Sequence, residues 1–136
     1  MSAQLDERQQ RFVAKARIAT LATVRADGSP HVTPVWYRYE DGDFVVSVDR
    51  TSMKHRNVAG DPRVELCIDD RERPPYHTVI VRGRASIEPP PSKEWRLALA
   101  THYLGEVPLA DVQFDDSRRQ TIHPAVLERF KTAVVH

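Results

Sequence analysis

The sequence predicts a mainly β fold, a β-barrel with flanking helices. Three observations point to it. Strand-like runs follow one another with turns too short for anything but antiparallel hairpins, a single short helical stretch interrupts them, and the remaining helical patterns lie at the margins. Closing such a sheet removes its adhesive edges. A barrel of so few residues is too narrow to enclose a sizeable ligand, so a site belongs on its outer wall or at a subunit contact.

The elements follow in order. Ser2 is positioned to cap a helix whose apolar Leu5, Phe12, Val13 and Ala16 lie mostly on one side, an amphipathic lid over a core. "IATLATV" (18–24), "PHVTPVWYRYE" (30–40) and "FVVSVD" (44–49) are rich in β-branched residues and read as strands. Asp27-Gly28 and Asp41-Gly42 separate them, and glycine tolerates the positive φ that tight hairpins demand. Pro34 cannot donate to a ladder, which makes its strand an edge or a bulge. From Ser52 to Gly60 the spacing becomes helical, with Met53, Asn57 and Val58 on one side. "PRVELCID" (62–69) returns to alternation and turns Val64, Leu66 and Ile68 inward. "YHTVIVRGRASIE" (76–88) sets Val79, Val81, Ala85 and Ile87 against Thr78, Ile80, Arg82 and Arg84. Ser92 caps a helix through Leu104 with a stripe of Trp95, Ala98, Leu99 and His102, stopped by Gly105. Residues 105–120 read as loop. Beyond them, Val126, Phe130, Ala133 and Val134 have helical spacing in a β-branched context, leaving 121–135 open between a final strand and a helix.

Composition bounds the function. The chain has 136 residues, enough for one domain over 1–136: an N-terminal helix in 1–16, a barrel core in 17–88, a helix in 92–104 and the last element in 121–135. Twenty Lys and Arg against nineteen Asp and Glu leave a net charge of +1, so there is no global field to hold a nucleic acid. The N-terminus lacks a signal-peptide core and no stretch reaches bilayer-spanning length. The single Cys67 implies a reducing compartment, and a cytoplasmic location with no membrane association is expected.

One turn concentrates charge. In "DRTSMKHRN" (49–57), Thr51, Ser52 and Lys54 surround the start of the short helix, where unpaired N–H groups and a partial positive charge suit an anion. Arg50 and Arg56 add fixed charge, and Asn57 can bond to amide or carbonyl edges. A phosphate fits such a turn. The competing reading is that Lys54 and Arg56 are solvated and pair with Asp49 or Asp61.

The string from 18 to 66, with "LATV-x-x-DG-x-P", "TPVW", "S-x-K-x-x-N" and "DPRV" in that order, resembles the pyridoxamine-phosphate-oxidase-like family of flavin-binding split β-barrels. More narrowly it is similar to the branch that uses the deazaflavin coenzyme F420. The likeness runs from about Ala16 to Pro90. It implies a homodimer with cofactor clefts where the subunits meet. Lys54 matches the family's phosphate-binding basic residue, and Ser52 and Asn57 match its neighbours in the turn. Ser47, Val48, Asp49 and Arg50 match the stretch beside the ribityl and phosphate portion, which continues through Thr51 and Met53. Thr33, Pro34, Val35 and Trp36 match the strand along which the ring lies. Flavin mononucleotide (FMN) enzymes of the family often carry a second basic residue where this chain has Met53, which favours F420 over FMN.

The resemblance therefore implies an oxidoreductase that passes a hydride from reduced F420 to an unsaturated or conjugated small molecule. An FMN enzyme of the same fold and a non-catalytic carrier of flavin, haem or another planar ligand are the alternatives. No catalytic acid or base stands out. Six histidines lack the short pairings of a metal site, and His31 and His77 sit in strands. Cys67 has no evident base and is expected to be structural. Trp36 and Trp95 read as packing residues, and Arg82 and Arg84 as a solvated strand face.

Overall fold

The computed structural model describes residues 5–49, 51–89, 91–105 and 117–132. Its elements are α1 (Glu7–Ala14), β1 (Ala19–Val24), β2 (Pro30–Val35), β3 (Tyr37–Glu40), β4 (Asp43–Asp49), α2 (Met53–Gly60), β5 (Arg63–Asp70), β6 (Tyr76–Ile87), α3 (Lys93–Leu104) and β7 (Ser117–Thr132). The strands form one sheet in the order β2-β1-β5-β6-β7-β4-β3, with every pairing antiparallel.

The two outer strands of that order, β2 and β3, are neighbours in sequence, separated by Trp36 alone. They are two halves of one bent strand. Its first half pairs with β1, from Pro30↔Val24 to Val35↔Ala19, and its second with β4, from Tyr37↔Val46 to Glu40↔Asp43. A chain that must reach both edges of a sheet across one residue rolls that sheet up, and a split β-barrel results. Pro34 stands on the outer half-strand, as its missing donor requires.

The hairpins form where Asp-Gly stands. Asp41 and Gly42 both have positive φ, 49° and 85°, the two-residue turn whose twist matches its strands. Gly28 has φ 88° in the turn closed by the Arg25 N–H to Ser29 carbonyl bond of 2.8 Å. Leu21, Tyr37, Phe44, Val46, Val48, Leu66, Ile68 and Val81 fill the barrel. Val64, Leu66 and Ile68 point inward as their alternation predicts. In β6 two positions depart from the pattern. Thr78 is buried because its hydroxyl donates to the Asp69 carboxylate, and Ile87 is exposed because β5 pairing has ended at Arg84.

Other expectations are corrected. α1 is capped by Asp6, which accepts the Gln9 N–H at 2.8 Å while the Gln9 side chain accepts the Asp6 N–H. Ser2 lies outside the described residues, and Ala16 is exposed beyond the helix end. The tail is a strand, and it begins at Ser117, inside the stretch that reads as loop; residues 106–116 lie outside the described residues. β7 is inserted between β6 and β4, so the barrel runs well past residue 88. Its Pro124 sits at an irregularity, with Arg82 opposite Val126 and Gly83 opposite Pro124, leaving Ala125 as the extra residue. α3 keeps its predicted limits, Ser92 accepting the Trp95 N–H at 3.1 Å and Gly105 at φ 81° ending it. Its buried positions are Arg96 and Leu99, while His102 is exposed.

The helices seal the roll. α2 packs on β1, β6 and β4, and α1 on β3. The Tyr37 hydroxyl, deep in the core, donates to the Val13 carbonyl at 2.7 Å and ties the C-terminal end of α1 to the bent strand. Burial pushes the Tyr37 phenol well above its usual 10.0. The folded chain then holds a proton that the unfolded chain releases, so this contribution is complete below about pH 10 and is lost as pH rises further. Tyr37→Phe is expected to cost about 1 kcal/mol at neutral pH and to flatten the alkaline decline. Urea unfolding of both proteins between about pH 8 and 11 measures the two effects.

Candidate functional site

The β4–α2 turn is built around one carboxylate. Asp49 accepts the Thr51 N–H at 2.7 Å and the Thr51 hydroxyl at 2.6 Å, and its carbonyl accepts the Ser52 hydroxyl at 2.6 Å and the Ser52 N–H at 3.0 Å. Ser52 in turn caps α2, its oxygen accepting the His55 N–H at 3.3 Å. The sequence reading gave both hydroxyls to a ligand, whereas in the structure each is engaged within the turn. The short polar side chains shape the loop. Met53 and Lys54 then occupy the first turn of α2, where N–H groups fall outside the helical ladder. Lys54 is half-buried, Arg56 and Met53 are exposed, and Arg50 lies outside the described residues.

Asn57 is placed differently. It is 5% exposed, and its amide donates at 2.9 Å to the hydroxyl of Thr23, which is 2% exposed. It anchors α2 to β1 and turns away from solvent. Thr23 was missed in the sequence, where it is one more polar residue in a strand; only the buried pair gives it meaning. Asp61 does not serve Arg56 either. It forms a close pair with Arg63 at 2.7 Å, and that guanidinium holds its carboxyl down at about 2.

Ladder register relates this turn to the bent strand. β4 pairs with β3 only as far as Val46, opposite Tyr37, while its Ser47, Val48 and Asp49 continue alongside β7. β2 has a single neighbour, β1. The seam is therefore flanked by Thr33, Pro34 and Val35 on one side and by Ser47, Val48 and Asp49 on the other, with Trp36 at the bend and α2 leading from the far end. Val35 and Val48 point into the core, Thr33, Trp36 and Ser47 are half-buried, and Pro34 is exposed.

At the other end of the bend the seam is closed by α3. The Tyr103 ring stacks on Trp36 with centroids 4.6 Å apart and planes 2° from parallel. Its hydroxyl accepts the Tyr37 N–H at 3.0 Å and lies 2.7 Å from the Arg17 carbonyl and 3.1 Å from the Tyr37 carbonyl. Trp95 donates its indole N–H to Glu40 at 2.8 Å. Tyr103 was also missed; its one sequence signal is its place four residues after the buried Leu99.

The remaining candidates stand apart from this seam. Cys67 is half-buried on the outward side of β5, and burial raises its thiol, the reverse of activation. His31 lies opposite Thr23 in the β1–β2 ladder, and His77 lies 6.2 Å from the Phe12 ring. Arg82 pairs with Glu65 at 2.7 Å on a solvated face, where Arg84 is exposed as well. Among the described residues no group of His, Cys, Asp and Glu converges to hold a metal ion, and no helix is long and apolar enough to cross a membrane.

Comparison with known proteins adds a family. The family model described as pyridoxamine 5'-phosphate oxidase matches residues 5–133. A 5a,11a-dehydrotetracycline/5a,11a-dehydrooxytetracycline reductase from Streptomyces rimosus is 32% identical over 83 residues, which are 56% of this chain and 58% of that protein. The chain thus matches little more than half of that relative's length. Among solved structures, an F420 reductase superposes with a TM-score of 0.80 at 24% identity, covering 91% of this chain and 98% of that one. A haem storage protein from Vibrio cholerae gives 0.70 at 20% identity, covering 95% of each. At these identities the two structures share the fold.

The Thr23–Asn57 pair makes a direct prediction. Asn57→Ala leaves a buried hydroxyl without its donor and is expected to cost about 1–3 kcal/mol of stability. Replacing both partners, Thr23→Val with Asn57→Leu, should cost less than the two single changes summed, as a denaturant double-mutant cycle measures.

Proposed function

The chain belongs to the pyridoxamine 5'-phosphate oxidase family, and from that premise we propose that it is an oxidoreductase whose flavin-type cofactor, F420 in preference to FMN, lies along the seam. The observation that supports this reading is the register in which Thr33–Val35 and Ser47–Asp49 flank one seam, with Trp36 at the bend and α2 following Asp49. Lys54 and the first-turn N–H groups of α2 would hold the anionic tail. Thr33, Pro34 and Trp36 would line the ring. Bound and reduced, F420 supplies a hydride for the electron-poor carbon of a conjugated acceptor. The chain's part is to hold both planes in contact and to exclude water.

Two features of the turn favour F420. Met53 offers no second cation. The Asp49 carboxylate already occupies the Thr51 N–H and hydroxyl, and it repels the dianionic phosphomonoester of FMN more than the singly charged phosphodiester of F420. A homodimer is part of the same reading. β2 turns Pro30, Val32 and Pro34 outward, with Val32 60% exposed, and Ile18 at the Val35 end of the same ladder is 55% exposed, an apolar surface that a second copy would cover. The haem storage protein's fold favours a second reading, a carrier that binds a planar ligand without turnover.

Titration with F420 and FMN, followed by fluorescence, ranks the cofactors, and tighter FMN binding reverses the order proposed here. Lys54→Ala is expected to weaken cofactor binding by about 1.5–3 kcal/mol, ten- to hundredfold in Kd, with the fold intact. An unchanged Kd removes Lys54 from the site. Val32→Lys should convert dimer to monomer in sedimentation and weaken cofactor binding with it. Reoxidation of reduced cofactor by any of a panel of enones, quinones and tetrapyrroles separates the enzyme from the carrier.

A further inference from the structure

Trp36 occupies the one position in the bent strand that belongs to neither ladder. The β1–β2 pairing stops at Val35 and the β3–β4 pairing starts at Tyr37. A residue at such a break is not held by cross-strand neighbours on either side, so its indole must be oriented by something else. Tyr103 is the ring stacked on it among the described residues, at 4.6 Å and 2°. The stack is itself fixed. The Tyr103 hydroxyl accepts from the Tyr37 amide and lies within bonding distance of the Arg17 and Tyr37 carbonyls, so it is locked to the backbone immediately beside Trp36 and to the segment entering β1. Burial raises the Tyr103 phenol, which therefore keeps its proton as a donor.

We propose that Tyr103 is a positioning residue that sets the Trp36 indole, through their stack, as a rigid aromatic wall for a planar conjugated ring bound in the seam. The inference rests on the flavin-type reading of the seam given above and adds to it a residue from α3, far in sequence from the turn that holds the tail. Parallel, offset aromatic planes favour a further flat π-system, and an indole already fixed in orientation loses no rotamer freedom when that system arrives. Trp36 is half-buried, so part of its surface remains available.

The test uses the full chain with Trp95→Phe, so that emission reports Trp36 alone. F420 and FMN are each titrated into this protein and into its Tyr103→Phe and Tyr103→Leu variants, with inorganic phosphate as a probe of the tail site by itself. Bound cofactor is expected to quench Trp36 emission. Tyr103→Leu should weaken the ring-bearing ligand about three- to tenfold while leaving phosphate competition unchanged. Tyr103→Phe, which keeps the stack, should lie between. A general loosening of the fold would instead weaken ligand and phosphate alike, and that result overturns the proposal. So does wild-type affinity in a folded Tyr103→Leu protein, or Trp36 emission that ignores bound cofactor. Should Tyr103→Leu fail to fold, Trp36→Leu replaces it, with the same loss expected and unchanged affinity again fatal. Binding of neither cofactor by the parent protein overturns the functional reading and this inference together, whereas parent binding with an indifferent Tyr103→Leu overturns this inference alone.

Discussion

Everything in this structure depends on one strand serving two ladders. Because β2 and β3 are halves of a single bent segment, the β1 side of the sheet and the β4 side cannot move apart without breaking pairs on one of them. The bend also creates two places where pairing is incomplete. Ser47–Asp49 run on past β3, and the segment before Ala19 runs up beside Tyr37 without entering the β1 ladder. At the second place the Tyr103 hydroxyl replaces the missing strand, taking the Tyr37 amide and reaching the Arg17 carbonyl. Buried backbone groups must find partners, and here a side chain from α3 supplies one. The first place carries no such plug from α3. Among the described residues, the two ends of one bend are thus resolved differently, one by a side chain from α3 and one by strand edges that run on without pairing to each other.

The polar groups buried nearby follow the same rule. The Asn57 amide and the Thr23 hydroxyl satisfy each other inside the barrel, and the Tyr37 hydroxyl satisfies a helix carbonyl. Each bond fixes an auxiliary helix to a strand, which holds the start of α2 in a set position relative to the seam. An anion site made of backbone N–H groups is only as well defined as the helix that presents them. Asn57 thus holds α2 against β1 from inside the barrel, although its type and spacing suggest a direct role.

Much of this was legible in the sequence. The Asp-Gly pairs named both hairpins because positive φ leaves few residue choices, and β5 alternated because one of its faces is core. Ser92 and Gly105 bounded α3 through local hydrogen bonding and handedness. What was not legible was decided by distant partners. The last segment has helical spacing at Val126 and Phe130, yet it is strand because β6 offers those residues a ladder and β4 continues the pairing over Ser117–Ile122. Ser117–Gln120 look like loop for want of apolar residues, but β4 pairs with them. Thr51 and Ser52 suggest ligand groups in the sequence, which does not show that Asp49 engages both hydroxyls within the turn. Tyr103 acquires its role solely from the meeting of α3 with the bend.

The prolines of β2 carry one more consequence. Proline in a strand stands where its nitrogen faces away from the ladder, and Pro30 and Pro34 share that orientation with Val32 between them. Two of the three donors that this border would offer are chemically absent. A foreign strand seeking to extend the sheet there would find carbonyl oxygens but almost no amide hydrogens to answer its own. The opening in the barrel can thus stay open without becoming a nucleus for fibrous assembly.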